Sequence, residues 1–188
     1  MSTPSQTVGP YLALGLEWTD GPDVVAPSMP DAVWLRGTVR DGAGEPVPDA
    51  VVETWQADAD GRFNHPADPR GAVAAPGFRG FGRCTTNAEG DYGVRTVVPG
   101  AVPVEVGSAE QGQAQAPHID ISVLARGLLH RVVTRVYFPE HAEQHQSDPV
   151  LRTVPQDRRA TLIAARTEDG YRFDIRLQGD QETVFFDV

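Results

Sequence analysis

Gln115-Ala-Pro-His118-Ile-Asp120-Ile-Ser122-Val-Leu-Ala-Arg126 alternates polar and apolar residues over its central part. A strand sends successive side chains to opposite faces, so His118, Asp120 and Ser122 project one way and Ile119, Ile121 and Val123 the other. That pattern predicts a half-buried β-strand. A second histidine at position 120 would set two imidazoles side by side as a chelate for a transition metal. Asp120 stands there instead. The strand therefore offers one imidazole and one carboxylate where a His-x-His pair would offer two good nitrogen donors.

Strand-like segments lie on both sides of it. Upstream, Val33 to Arg40 alternates and ends in the turn Asp41-Gly-Ala-Gly44, and Asp49 to Gln56 follows with Val51 and Trp55 on one face. From Gly61 to Gly80 the pattern dissolves into Pro, Gly, Asp and Arg. A loop of that length in a compact domain is usually functional. Gly82–Thr86 and Tyr92–Val97 read as a hairpin across Asn87-Ala-Glu-Gly-Asp91. Downstream, Arg131–Phe138 carries apolar residues on both faces, as a covered strand would. His141–Arg159 is polar and proline-bearing, with room for a short helical piece. Thr161–Arg166, Tyr171–Leu177 and the apolar Val184-Phe-Phe186 close the chain, with Tyr171, Phe173, Ile175 and Leu177 sharing a face. Short strands punctuated by turns predict an all-β protein, an antiparallel β-sandwich. The opening Thr3–Tyr11 has neither period and reads as an arm with little apolar surface to order it.

Composition narrows the function classes. A chain of 188 residues favours one domain. Its net charge of −10 argues against nucleic acid and anionic membrane surfaces as partners. The single cysteine, Cys84, excludes an internal disulfide and a cysteine-cluster zinc site, and suits the cytoplasm. Cys84 is expected to pack as a small apolar residue. No apolar run approaches the length of a membrane span. His141 and His145 have helical i, i+4 spacing but lack the glutamate of a His-Glu-x-x-His protease, and solvated surface is the expectation for both. His65, in the long loop, and His130, in a turn, read as ordinary polar residues. Taken alone, these residues support a soluble β-sandwich and no catalytic set.

Several motifs nevertheless follow one another in a known order. They are the arm Thr3-Pro-Ser-Gln-Thr-Val-Gly-Pro-Tyr11, then Leu35-Arg-Gly-Thr-Val39, and Pro46-Val-Pro-Asp-Ala-Val-Val-Glu-Thr-Trp-Gln56. Gly77-Phe-Arg-Gly-Phe-Gly-Arg-Cys-Thr-Thr86, Gly90-Asp-Tyr-Gly-Val-Arg-Thr-Val-Val-Pro-Gly100, Ala116–Gly127 and Thr134-Arg-Val-Tyr-Phe-Pro139 continue the series. Together they resemble the intradiol ring-cleaving dioxygenases nearly end to end. Ala125-Arg-Gly-Leu-Leu129 and Gln181-Glu-Thr-Val-Phe-Phe186 resemble the alpha type of chain found in the family's two-chain members.

The resemblance implies the family's β-sandwich over residues 33–188, with long loops, behind an extended arm and linker over 1–32. The iron-binding chains of the family hold non-haem Fe(III) with two tyrosines and two histidines. Those positions fall at about Arg70, about Val102, His118 and Asp120 of this chain, so three of the four ligands are absent. The implied chain ligates no metal and carries no catalytic residue. A homologous beta subunit holds the Fe(III), and the two pair into a large oligomer of alpha–beta pairs. The implied reaction is O2-dependent cleavage of protocatechuate to 3-carboxy-cis,cis-muconate. This chain would line the beta chain's pocket with Thr7, Gly9 and Pro10 of the arm, and Arg126 would hold the substrate carboxylate by a charged fork. His118 is expected to hydrogen-bond within the remnant cavity, with Asp120 as a partner. The competing expectation is a non-catalytic β-sandwich binding module derived from the same family, with Arg126 a surface cation and the arm disordered.

Overall fold

Gly37 marks the tightest point of the architecture. A Cβ there would lie 1.8 Å from the carbonyl oxygen of Phe173, so glycine is what lets the last strands close onto the first. The computed structural model describes residues 3–71, 73, 76–104 and 113–187. Helix α1 (Tyr11–Leu16) precedes strands β1 (Val33–Arg40), β2 (Val51–Trp55), β3 (Phe81–Thr85), β4 (Asp91–Thr96), β5 (Val102–Pro103), β6 (Ala114–Gln115), β7 (His118–Leu124) and β8 (Val132–Tyr137). Helices α2 (Ala142–His145) and α3 (Pro149–Thr153) follow, and β9 (Ala165–Thr167), β10 (Gly170–Arg172) and β11 (Ile175–Arg176) end the series. No described helix is long and apolar enough to cross a membrane.

Two sheets stack face to face. In one, β1 is central, antiparallel to β4 on one edge and parallel to β10 and then β11 on the other, with β9 beyond β10. In the other, the order is β3-β2-β7-β8, antiparallel throughout. Leu35 and Val39 of β1, Val94 of β4 and Tyr171 of β10 meet Val52 of β2, Ile119, Ile121 and Val123 of β7, and Val136 of β8 in one buried cluster. Each fully buried aliphatic side chain of this kind contributes about 1.5–3 kcal/mol. The β-sandwich expected from the strand pattern is therefore present, mixed rather than purely antiparallel in one layer.

Three segments depart from their sequence patterns. Phe81–Thr85 and Asp91–Thr96, expected as a hairpin across Asn87–Asp91, pair in different sheets, β3 with β2 and β4 with β1, so their link crosses between the layers. Tyr171–Leu177 is not one strand: between β10 and β11 the Thr38 amide bonds the Asp174 carboxylate at 2.9 Å, so a side chain takes the place of a ladder partner. The start of Thr161–Arg166 is a 3-10 turn, Arg159–Leu162; Ile163 then makes an isolated parallel bridge to Tyr137, and the strand ladder starts at Ala165. Before it, Asp148 caps α3 by accepting from the Val150 and Leu151 amides, with Pro149 at the first helical position. The Asp148 carboxylate also accepts from the Ala116 amide at 2.7 Å, which ties α3 to the entrance of β7.

The arm is ordered locally. Trp18 stacks on Phe81 with ring centroids 6.1 Å apart, and the Arg83 guanidinium lies 4.7 Å from the Trp18 ring centre. Val24 and Val25 are buried in the main core.

Candidate functional site

The outer face of the β3-β2-β7-β8 sheet carries a row of cross-strand neighbours, Trp55 of β2, Asp120 of β7 and Arg135 of β8. Above this row, at the N-terminal end of β7, opens a cleft of about 720 Å³. Arg70 from the long loop, Val102 from β5, and His118 and Asp120 from β7 all line it. The four positions that the family resemblance marks are thus brought to one cavity from three separate segments. Trp55, Phe63 and Arg135 complete its working surfaces.

Local chemistry fixes each group. Asp120 accepts from Arg135 Nε at 2.7 Å, and Arg135 Nη1 donates to Gln115 Oε1 at 2.6 Å. Burial and the Arg135 charge push the His118 imidazole below its ordinary pKa, so it is neutral. Its Nδ1 donates to the Ala116 carbonyl at 2.7 Å, which leaves Nε2 as the acceptor. The expected His118–Asp120 pairing is therefore replaced by two separate ones, because a carboxylate bonds the adjacent guanidinium more strongly than a neutral imidazole. Arg70 is clamped to Asp68 through Nε at 3.0 Å and Nη2 at 2.8 Å. The Asp68 side chain is 2 % exposed, and the Arg70 guanidinium with the Phe63 and Arg70 amides holds its carboxyl well below the usual range. Trp55 and Phe63 stack with centroids 5.8 Å apart and planes 6° off parallel, and His65 packs edge-on against Trp55.

This donor set does not fit a ferric ion. Arg70 and Val102 bring no phenolate, the Asp120 carboxylate is committed to Arg135, and two guanidinium groups line the same cavity. A trivalent cation would meet like charge there and one imidazole. The described tyrosines lie elsewhere: Tyr92 and Tyr171 are in the core, Tyr137 is buried beside His118 and His145, and Tyr11 is on the arm.

The other residues singled out in the sequence meet at the far end of β7. Gly127 donates its amide to Thr7 Oγ1 at 2.7 Å, and Ser5 Oγ lies 3.4 Å from His130 Nδ1, so the arm runs along the turn after β7. Arg126 is half-exposed and pairs with Asp49 at 2.9 Å. Gly9 and Pro10 are exposed on the arm between Thr7 and α1. From His118 to Arg126 the chain advances eight residues, up to roughly 26 Å at strand rise. Arg126 and the arm therefore do not belong to this chain's own cleft.

Sequence reasoning missed Arg135, Asp68 and the Trp55–Phe63 wall. Arg135 had a signal: it shares a strand face with Val133 and Tyr137, and a charge on a face otherwise apolar needs a partner. His145 also departs from expectation. It is buried edge-on against Tyr137 at 5.6 Å, and its Nε2 is without a partner among the described residues. Cys84 packs in the core as expected, where burial pushes its thiol up to about 11.

Solved structures share this architecture. The catechol 1,2-dioxygenase of Acinetobacter sp. ADP1, inhibited by bound mercury, superposes with a TM-score of 0.64 at 21% identity, over 95% of this chain and 70% of that one. The dioxygenase domain of a carbohydrate-binding fusion from Streptomyces sp. SirexAA-E gives 0.56 at 22% identity, over 94% and 99%. These structures share the stacked-sheet fold of this chain, and they are dioxygenases; the intradiol dioxygenases are generally iron-dependent. The chain belongs to that family. Residues 25–179 match the family model described as "Dioxygenase". Two protocatechuate 3,4-dioxygenase alpha chains are similar over nearly their whole length: that of Burkholderia cepacia is 44% identical over 99% of this chain and 97% of its own, and that of Pseudomonas putida 42% over 98% and 96%. The B. cepacia beta chain is 36% identical over 81% of this chain and 67% of its own.

Proposed function

We propose that this chain is the non-ligating, alpha-type subunit of a protocatechuate 3,4-dioxygenase. A homologous beta-type subunit holds the Fe(III) and carries out the O2-dependent opening of protocatechuate to 3-carboxy-cis,cis-muconate. The similarity to two alpha chains over nearly full length supports this reading. The observation that carries it is the cleft itself, whose four ligand positions hold Arg70, Val102, His118 and an Asp120 already paired with Arg135.

In this reading residues 33–188 are the sandwich and 1–32 the arm and linker. Thr7, Gly9 and Pro10, with Arg126 beside them, form the surface offered to the partner's pocket. Arg126 supplies a fixed positive charge that can fork onto the substrate carboxylate. Its separation from this chain's own cleft, and the Thr7–Gly127 bond beside it, support its use in another chain's site. The assembly is a large oligomer of alpha–beta pairs.

Coexpression with a beta-type chain bearing two tyrosines and His-x-His tests the proposal. The expected outcome is copurification in equal amounts, with iron assigned to the partner and full activity only in the pair. A beta-type chain fully active alone, beside a monomeric form of this chain, would overturn it. So would stoichiometric iron with a tyrosinate charge-transfer colour in this chain purified by itself.

A further inference from the structure

We propose that the outer face of the sheet built on β1, centred on Trp34, is a contact surface through which two copies of this chain associate. The contact is separate from the pairing proposed above; for the assembled complex, the inference rests on that reading.

Strand alternation defines the face. Leu35 and Val39 point into the core, so Trp34, Arg36 and Thr38 point outward. On the neighbouring strands Arg95 and Gly170 stand opposite Trp34, and Gly93 and Arg172 stand opposite Arg36. The helices pack elsewhere, α1 against β2 and α3 against β6. β7, whose far end leads to Arg126, belongs to the other sheet. The Trp34 face is therefore distinct from the surface offered to the partner's pocket.

The centre of the face is built as an anchor. Trp34 is partly exposed, and two guanidinium groups lie against its ring, Arg36 at 4.6 Å and Arg95 at 5.8 Å from the ring centre. Such cation–π contacts hold the indole and both cations in place. Glycines keep side chains away from it. A Cβ on Gly170 would lie 2.1 Å from the Trp34 carbonyl oxygen, and one on Gly93 would lie 3.8 Å from the indole itself. Tryptophan and arginine dominate the energetics of protein interfaces, and groups fixed beforehand lose little entropy when they are covered.

Charge names the occupant. The chain carries −10 overall, so two copies repel one another at most approaches. On this face each of the three cations has its own carboxylate: Arg36 with Asp169, Arg95 with Asp23 at 2.9 Å, and Arg172 with Asp174 at 2.8 Å. The charges there balance, and the repulsion is locally absent. A twofold contact sets one patch against itself, so every cation must find an anion and the centre must pack on its own kind. Alternating Arg–Asp pairs around an indole meet both conditions. Arg36, Asp169, Arg172 and Asp174 are half-exposed, which leaves each able to take a second partner across the contact. A strongly basic or acidic partner would gain little from a balanced face. In the assembled complex, each chain would then offer one sheet to its beta-type partner and the other to a second pair.

Sedimentation equilibrium tests this on the full chain purified alone and on the complex copurified with a beta-type chain. Alone, the chain should dimerise reversibly with a Kd on the order of 10 μM. Trp34→Ala and Arg36→Glu should each weaken dimerisation by about tenfold or more. A cooperative melting transition verifies that each variant folds, and either one alone is sufficient. In the complex the variants should keep the partner and its iron while sedimenting as smaller particles than the parent. A chain that stays monomeric up to about 0.5 mM, or association unchanged in a folded variant, would overturn the assignment. Loss of the beta-type chain from a folded variant would also overturn it, by placing that partner on the face instead of a second copy. If no complex forms with a beta-type chain, the pairing reading fails, and the measurement on the isolated chain still decides this one.

Discussion

Arg126→Ala in the assembled enzyme gives the sharpest kinetic prediction. In the isolated chain Arg126 contacts Asp49 at 2.9 Å, with side chains 55% and 29% exposed. An ion pair so open to water contributes at most about 1 kcal/mol. The substitution should therefore leave thermal stability nearly unchanged. A guanidinium contact to a substrate carboxylate is worth about 1.5–3 kcal/mol. Releasing Arg126 from Asp49 offsets up to about 1 kcal/mol of that, leaving a net loss near 1–2 kcal/mol on substitution. The expected fall in kcat/KM for protocatechuate is about 5- to 30-fold, at constant iron content, by oxygen-uptake kinetics on the purified complex. Asp49→Asn supplies the complement. Asp49 has φ +58°, which asparagine tolerates well, and loss of its charge frees Arg126. That variant should match or exceed the parent in kcat/KM. A value for Arg126→Ala within twofold of the parent, or a loss that tracks lost iron, would remove Arg126 from substrate binding.

Two further predictions concern the cleft and its surroundings. Asp120→Ala leaves the Arg135 side chain, 19% exposed, without its carboxylate, and should cost about 1–3 kcal/mol in denaturant titrations; Asp120→Ala with Arg135→Met should recover most of that, and failure to recover would show that the loss is not one of charge pairing. Burial lowers the pKa of His145, so below about 6.5 the unfolded chain takes up the proton first and stability falls as pH drops. It is fully present above the unfolded value. His145→Phe should flatten the fall in melting temperature between pH 7 and pH 5, and an unchanged slope would exclude His145 as its source.

Much of the architecture could be read in the chain because its strands obey a period of two. β1 spans the same Val33–Arg40 that the alternation marks, and Ile119, Ile121 and Val123 face the core as their spacing requires. The region after β8 was less legible. Tyr171–Leu177 keeps a perfect alternation while a side-chain carboxylate interrupts the ladder, and periodicity carries no information about such a substitution. Parallel pairing of β10 and β11 with β1 is likewise a long-range choice, recorded at one residue, Gly37, whose missing side chain admits Phe173. For the candidate site, residue types alone gave nothing, and the family resemblance located the four positions that the structure brings together. What the resemblance could not supply was the replacement chemistry. Arg135 and Asp68 act through partners distant in sequence or hidden in a turn, and only the folded chain displays those pairings.

The Asp120–Arg135 bond also bears on what single substitutions can do. A histidine placed at position 120 would at once leave the Arg135 cation at the cavity wall without its carboxylate, where it would repel the metal the histidine could attract. Recovery of a ligand set would need changes at positions 70, 102, 120 and 135 together, each useless or harmful alone. The pair thus acts as a lock: a metal site could arise at this cleft only by several coordinated changes, so no single substitution turns this chain into a metalloprotein.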